Sequence, residues 1–244
     1  MIGHEHIKTF AAKVFMKKGY LTNPPRLTLS DGSLEALKWI GLVLMTGDHA
    51  NKFLLKGSQV HLFEAGRVAL PLFAFVLAYN LARPSALSRG SYRRTIKKLA
   101  IFGLISMPAC AVLGGLAAGW WPLNILFTLL VAAFTMSLLD RGNKTTAILC
   151  FLLGGFLVEY LWFGIALCIP VWCYCKRPGW VSLLLILLSY AALTVINGNL
   201  WAFAALPMIL LASSFNKPMP RLRWFFYFYY PAHLWVLSSL MIIG

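Results

Sequence analysis

Val181–Ile196 reads VSLLLILLSYAALTVI, an uncharged stretch with none of the apolar–polar alternation of a strand. A run of this kind buries neither face selectively, so it is predicted to be a helix surrounded by apolar material on all sides. The same texture extends outward in both directions. Across 244 residues, 60% are hydrophobic and only 12% charged, with a mean hydropathy of +0.75. A solvated globular surface needs roughly 25% charged residues. In lipid the backbone must satisfy its own hydrogen bonds, which leaves helices or a closed barrel. A barrel would alternate in short segments, so the sequence predicts an all-α integral membrane protein.

Nine apolar segments are expected as spans of a single bundle, at about 34–55, 61–82, 98–118, 122–139, 145–159, 161–175, 180–197, 199–214 and 224–243. Turn-forming residues separate them, as in Arg141-Gly142-Asn143, Arg177-Pro178-Gly179 and Asn197-Gly198-Asn199. Residues 1–33 form a basic N-terminal segment with no apolar core of signal-peptide type. Ile7, Phe10, Ala11 and Val14 share one helical face there, with lysines around the rest, the pattern of a helix lying on anionic lipid. Residues 34–244 make the bundle.

The net charge of +15 suggests nucleic acid until its placement is considered. All 22 Lys and Arg except Lys52, Lys56 and Arg67 fall in the N-terminal segment or in alternate connectors and span ends. That bias is topological: positive residues stay on the cytoplasmic side of an inner membrane. It predicts a multi-pass inner-membrane protein with a cytoplasmic N-terminus, a periplasmic C-terminus and no nucleic-acid partner. The five cysteines lie in apolar segments without His or carboxylate neighbours, so no metal site is expected.

Ionisable residues at membrane depth are costly and usually functional. Here they are Asp48, His49, Glu64, Arg67, Glu159 and His233. Counting inward from the outer ends of the first two spans puts Asp48, His49 and Arg67 about 9–10 Å deep, on adjacent antiparallel helices. Asp48 and Arg67 are therefore expected to meet. Glu64 is an alternative partner for Arg67, three residues away on the same helix. Tyr229 and His233 share a face of the last span, and Asn124 opens the fourth span at matching depth. Glu159, at a span end, is expected to be exposed.

Four motifs in this order carry a resemblance: Gly47-Asp48-His49-Ala50-Asn51, Gly66-Arg67-Val68-Ala69-Leu70-Pro71-Leu72-Phe73, Asn124-Ile125-Leu126-Phe127 and Tyr230-Pro231-Ala232-His233-Leu234. Together they span residues 33–243, and the chain resembles the TraX family of conjugative-plasmid membrane acetyltransferases. The resemblance implies acetyl-CoA as donor and the N-terminal amine of a pilin subunit as acceptor, in company with membrane lipid and other pilus assembly proteins. His49 is the expected base with Asp48 beside it, and His233 the alternative base. Arg67, Asn51, Glu64, Asn124, Tyr229 and Tyr230 are the expected acceptor contacts. The acid-free connector with Arg83, Arg89, Arg93, Arg94, Lys97 and Lys98 is expected to hold the phosphates of coenzyme A. With no cysteine in the polar cluster, direct transfer is expected. A membrane O-acyltransferase acting on a sugar or lipid, and a non-enzymatic pilus assembly protein, are the competing readings.

The charge asymmetry generates a topology prediction. Reporter fusions after residue 90 should read cytoplasmic and fusions after Gly244 periplasmic; a cytoplasmic C-terminus would remove the nine-span arrangement.

Overall fold

A computed structural model describes residues 23–114, 120–215 and 217–243 of the chain. The expected amphipathic helix of the first twenty residues lies outside them. Among the described residues the fold is all-helical. The elements are α1 (Asp31–Phe53), α2 (Val60–Gly66), α3 (Ala69–Leu81), α4 (Ser91–Val112), α5 (Ile125–Asp140), α6 (Lys144–Leu157), α7 (Leu161–Lys176), α8 (Trp180–Ala192), α9 (Thr194–Asn197), a 3₁₀ turn (Trp201–Ala204) leading into α10 (Ala205–Ala212), and α11 (Phe225–Ile243). Helical segments therefore fall on all nine apolar runs. Four of them, Val60–Leu81, Ser91–Val112, Trp180–Asn197 and Phe225–Ile243, are long and apolar enough to cross a membrane. Four others are shorter apolar helices, and α1 carries five charged residues along its length.

The helix ends follow local chemistry. Ser30 caps α1, its Oγ accepting from the Ser33 amide at 3.0 Å, and Asp31 in the first turn complements the helix dipole. Asn124 caps α5 through the Leu126 amide at 3.1 Å. Between α2 and α3 the chain kinks at Gly66, Arg67 and Val68, where the Arg67 and Val68 amides turn to carbonyls three residues back.

Helix α3 is the hub: Leu72, Ala74, Phe75, Val76, Ala78 and Leu81 are all buried, with α1 packed on one side and α7 on the other. Around it, α4 lies between α5 and α11, and α5 also packs on α6 and α7. The outward faces are apolar. Leu153, Val181 and Leu211 are 68%, 71% and 73% exposed, in company with many other large aliphatic and aromatic side chains. A water-soluble monomer does not carry a belt of that extent; hydrocarbon is the solvent that suits it.

Ion pairs collect at one end of the bundle. Arg83 pairs with Asp31 at 2.5 Å, and Arg221 reaches the same carboxylate at 3.4 Å. Lys176 is paired with Asp140, and Arg26 donates to the Lys176 carbonyl at 3.0 Å. These contacts join the start of α1 to the ends of α3, α5 and α7, as an up-and-down helix order requires. The segment before α1 is part of this end: the Leu29 amide donates to the Tyr79 hydroxyl at 2.9 Å, and the Tyr174 hydroxyl donates to the Pro25 carbonyl at 2.5 Å.

Beneath the ion pairs sits a buried polar junction. The Tyr92 hydroxyl accepts from Trp172 Nε1 at 3.0 Å, and lies 3.0 Å from both the Leu81 carbonyl and Asp140 Oδ2. It ties α3, α4, α5 and α7 together. Tyr92→Phe should leave the indole N–H and a carbonyl without their partner, costing about 1–2 kcal/mol. The check is a lowered thermal midpoint for the detergent-purified variant.

Candidate functional site

Deep in the bundle, at the end of α1 remote from the ion pairs, the first site element is the one that depth counting anticipated. Arg67 Nη2 donates to Asp48 Oδ2 at 2.5 Å, and each side chain is 14% exposed. Glu64 takes no part. It pairs at 3.3 Å with the exposed His61, and does not line the central cavity. The kink at Gly66 makes the Asp48–Arg67 approach possible. A methyl group on Gly66 would lie 2.4 Å from Asp48 Cβ and 2.5 Å from its Cγ, so only glycine admits the carboxylate. Arg67 is held further by the Phe63 carbonyl at 3.2 Å and by the Phe63 ring, whose centroid lies 4.4 Å from the guanidinium.

His49 turns away from Asp48, as the 100° step between helical neighbours requires, and meets His233. His49 Nδ1 lies 2.7 Å from His233 Nε2, with the rings nearly parallel. The two histidines, rival bases in the sequence, form one unit. Their tautomers follow from the next contact. His233 Nδ1 lies 2.9 Å from the Tyr229 carbonyl, which only accepts, so this nitrogen carries the proton. In a neutral ring Nε2 is then an acceptor, and His49 must donate to it from Nδ1. His49 Nε2 is left with its lone pair and no protein hydrogen bond among the described residues. Pro231 would free the carbonyl of Tyr227, but the carbonyl that orients His233 is that of Tyr229. Tyr229 stacks on His233 and lies 2.8 Å from Thr46 Oγ1 through its hydroxyl, fixing α11 against α1.

A cavity of about 1010 Å³ connects this centre to the basic end of the bundle. Asp48, His49, Lys52, Arg67, Glu159, Tyr160, Tyr229 and Tyr230 line it in the depths. Of the residues expected to hold the phosphates, Arg83, Arg89, Arg94, Lys97 and Lys98 line its other end, whereas Arg93 is exposed and outside the lining. Lys38, Arg221 and Arg223 join the rim and were not anticipated. Nor was the aromatic wall beside them, where Lys98 Nζ lies 3.9 Å from the Trp224 ring centroid and 5.1 Å from that of Tyr227. Two acids temper the rim. Asp31 is held below the usual carboxylate range, chiefly by its hydrogen bond from Arg83. Glu35 Oε1 takes Lys38 at 2.6 Å and lies 4.0 Å from Arg221.

Two expected acceptor contacts are structural instead. Asn51 is 2% exposed and exchanges two 2.9 Å hydrogen bonds with the backbone of Gln59, closing the turn between α1 and α2. Asn124 spends its oxygen on the α5 cap and its amide on the Gly103 carbonyl at 2.9 Å. Neither lines the cavity. Both are short polar side chains beside a helix end, a setting in which capping competes with any site role. Cys110 is buried and does not line the cavity.

Glu159 and Tyr160 are cavity-lining residues that the sequence reading left out of the site. Glu159 is exposed as expected, but onto the cavity. It belongs to a non-helical stretch where the Leu123 amide donates to the Leu157 carbonyl at 2.8 Å, and the Glu159 amide to the Leu123 carbonyl at 2.7 Å. Non-helical backbone at membrane depth is tolerated where protein buries it or it lines a cavity. The Tyr160 hydroxyl lies 3.5 Å from Arg67 Nη1, at the limit of a hydrogen bond. The available signal was a charged residue in the short gap between two apolar runs. Among the described residues no group of His, Cys, Asp and Glu is arranged to hold a metal.

The ion pair generates a stability prediction. Asp48→Asn or Arg67→Gln alone strands a charge and should cost roughly 3 kcal/mol, the low end for a broken buried pair because the cavity hydrates it. The double variant should regain more than half of the lost thermal midpoint, and Gly66→Ala should behave like Asp48→Asn.

The family model described as TraX protein matches residues 33–241. A protein from Escherichia coli named Protein TraX is 33% identical over 237 residues, covering 88% of this chain and 89% of that protein. A second Protein TraX, from Escherichia coli strain K12, is 36% identical over 125 residues, 50% of this chain and 46% of its own. No solved structure matches the chain. The match runs from the start of α1 almost to the end of α11, through both histidines and the Asp48–Arg67 pair, and the chain belongs to the TraX family.

Proposed function

We propose that this chain is an inner-membrane acetyltransferase that transfers acetyl from acetyl-CoA to the N-terminal amine of pilin during conjugative pilus biogenesis. In this reading all nine apolar segments span the membrane, with the basic end cytoplasmic. The observation that carries it is the continuous cavity reaching from the basic, aromatic rim to the unprotonated nitrogen of His49. A donor with several phosphates and a slender thioester arm suits both ends. Arg83, Arg89, Arg94, Lys97, Lys98, Arg221 and Arg223 attract the phosphates, Trp224 offers a stacking face for the base, and the apolar middle, with Leu42, Phe73 and Leu126, takes the arm.

The chemistry required is modest. An α-ammonium must lose one proton before it can attack, and its ordinary pKa of about 7.7–8.0 lies within reach of a histidine base. His49 Nε2 takes that proton while His233 holds the ring by accepting from Nδ1. The amine nitrogen bonds to the thioester carbonyl carbon, and the carbonyl oxygen gains charge facing Arg67 and the Tyr160 hydroxyl. The C–S bond then breaks, and the second proton of the nitrogen passes to the departing thiolate. Asp48 keeps Arg67 in place and neutralises it.

The test is mass spectrometry of pilin co-expressed with the chain. Wild type should add one acetyl group at the N-terminus. His49→Ala should reduce the rate 10²–10⁴-fold, roughly the share of a general base, with insertion intact, and His49→Gln should be equally poor. His233→Ala should produce a smaller loss, since it frees His49 to change tautomer without removing the base. Unmodified pilin beside an acetylated lipid or sugar fraction would favour the O-acyltransferase reading. No acetylation of any fraction would favour a non-enzymatic assembly role.

A further inference from the structure

The deep end of the cavity holds two cations, Lys52 and Arg67, and two carboxylates, Asp48 and Glu159. Arg67 and Asp48 satisfy each other at 2.5 Å. Lys52 lies against the Phe53 ring, 5.1 Å from its centroid. Among the described residues neither Glu159 nor Lys52 has an opposite charge within ion-pair distance, and Glu159 is the carboxylate of the group that opens onto the cavity without one. Glu159 lies beside the first turn of α5, where its own carbonyl accepts from Thr128 Oγ1.

The backbone around Glu159 is over-determined. Its amide is held by the Leu123 carbonyl at 2.7 Å, and its carbonyl accepts from Thr128 Oγ1 at 2.5 Å. The two following residues, Tyr160 and Leu161, sit at φ values of 63° and 48°, the left-handed region that side chains other than glycine rarely occupy. Strain of this kind persists where the surroundings enforce it, and it clusters at ligand sites. Here it swings the chain from α6 into α7 so that Glu159 faces the cavity and Tyr160 reaches Arg67. Glu159, Arg67, Asp48 and His49 all line the deep part of the cavity.

We propose that Glu159 is the anchor for the acceptor's ammonium group, and that it makes the site selective for amines over alcohols. The inference rests on the acetyltransferase reading and adds the residue that recognises the acceptor. An acceptor R–NH₃⁺ docks with two N–H groups on the carboxylate and presents the third to His49 Nε2. Once that proton has moved, the neutral nitrogen carries the lone pair that forms the C–N bond, and the acetyl–sulfur bond breaks. Glu159 exchanges no proton itself. A hydroxyl acceptor gains no such ionic contact.

The experiment uses the purified chain in nanodiscs, acetyl-CoA and two short acceptor peptides. One has a free N-terminal amine and the other an α-hydroxyl in its place. Glu159→Gln preserves shape and removes the charge. It should raise KM for the amine peptide about tenfold or more, the size of a lost charge-assisted hydrogen bond, with the loss falling on KM rather than kcat. Whatever turnover the hydroxyl peptide gives should stay at its wild-type level. An unchanged KM for the amine, or an equal loss for both peptides, overturns the proposal. If Glu159→Gln does not fold, Glu159→Asp replaces it. That variant should keep the amine preference with a weakened KM, and loss of the preference overturns the proposal equally. A wild-type chain that acetylates neither peptide fails at the proposed function itself, a result distinct from either failure at Glu159.

Discussion

The close approach of α1 to the kink between α2 and α3 is the contact on which the site depends. Gly66 removes the Cβ that would occupy the space of Asp48, and the carboxylate fills that space with Arg67 closing over it. A charge pair in a low-dielectric setting is not in itself a stabilising device, because desolvation consumes much of the attraction. Its value here is positional. It sets the register of two antiparallel helices, and register decides which face of α1 His49 presents to α11. The guanidinium, held at one end by Asp48, is left with donors turned toward Tyr160 and the cavity.

Much of the fold is legible in the sequence because hydropathy reports depth. Every helical segment among the described residues falls on an apolar run, and counting residues from the span ends puts Asp48 and Arg67 level with one another. Depth says nothing about azimuth. His233 is 184 positions from His49 along the chain, and only the packing of α11 against α1 turns the two rings together. Asn51 and Asn124 show the opposite failure. Both stand at the right depth beside suggestive motifs, yet local backbone hydrogen bonds claim them. Glu159 escapes because a carboxylate at the edge of an apolar run ordinarily marks the water boundary. Here the boundary is internal, since the cavity brings an accessible surface to a residue enclosed within the bundle.

The cavity is also why the basic rim and the deep polar centre, which look incompatible when placed on opposite sides of a bilayer, belong to one site. Helices that pack tightly on both sides would separate them. Helix α1 instead leans on α3 and α11 while leaving a wedge that α4 and α5 border but do not fill. The polar residues along α1, Asp31, Glu35, Lys38, Asp48 and Lys52, line that wedge throughout its length. This explains why α1 falls short of an ordinary spanning composition although it is among the longest helices in the chain.

Helices α5, α6 and α7 contain 16, 14 and 16 residues. At 1.5 Å per residue each is about 21–24 Å long, against a hydrocarbon thickness of about 30 Å. In the nine-span arrangement proposed above, lipid beside them must thin or dimple to keep their polar ends wet. The long helices α4 and α11, on another side of the bundle, impose no such deformation. The protein would therefore sit in a membrane that is thinner along one flank than the other. That asymmetry gives it a preferred orientation relative to neighbouring proteins and draws it toward regions where the bilayer is already compressed.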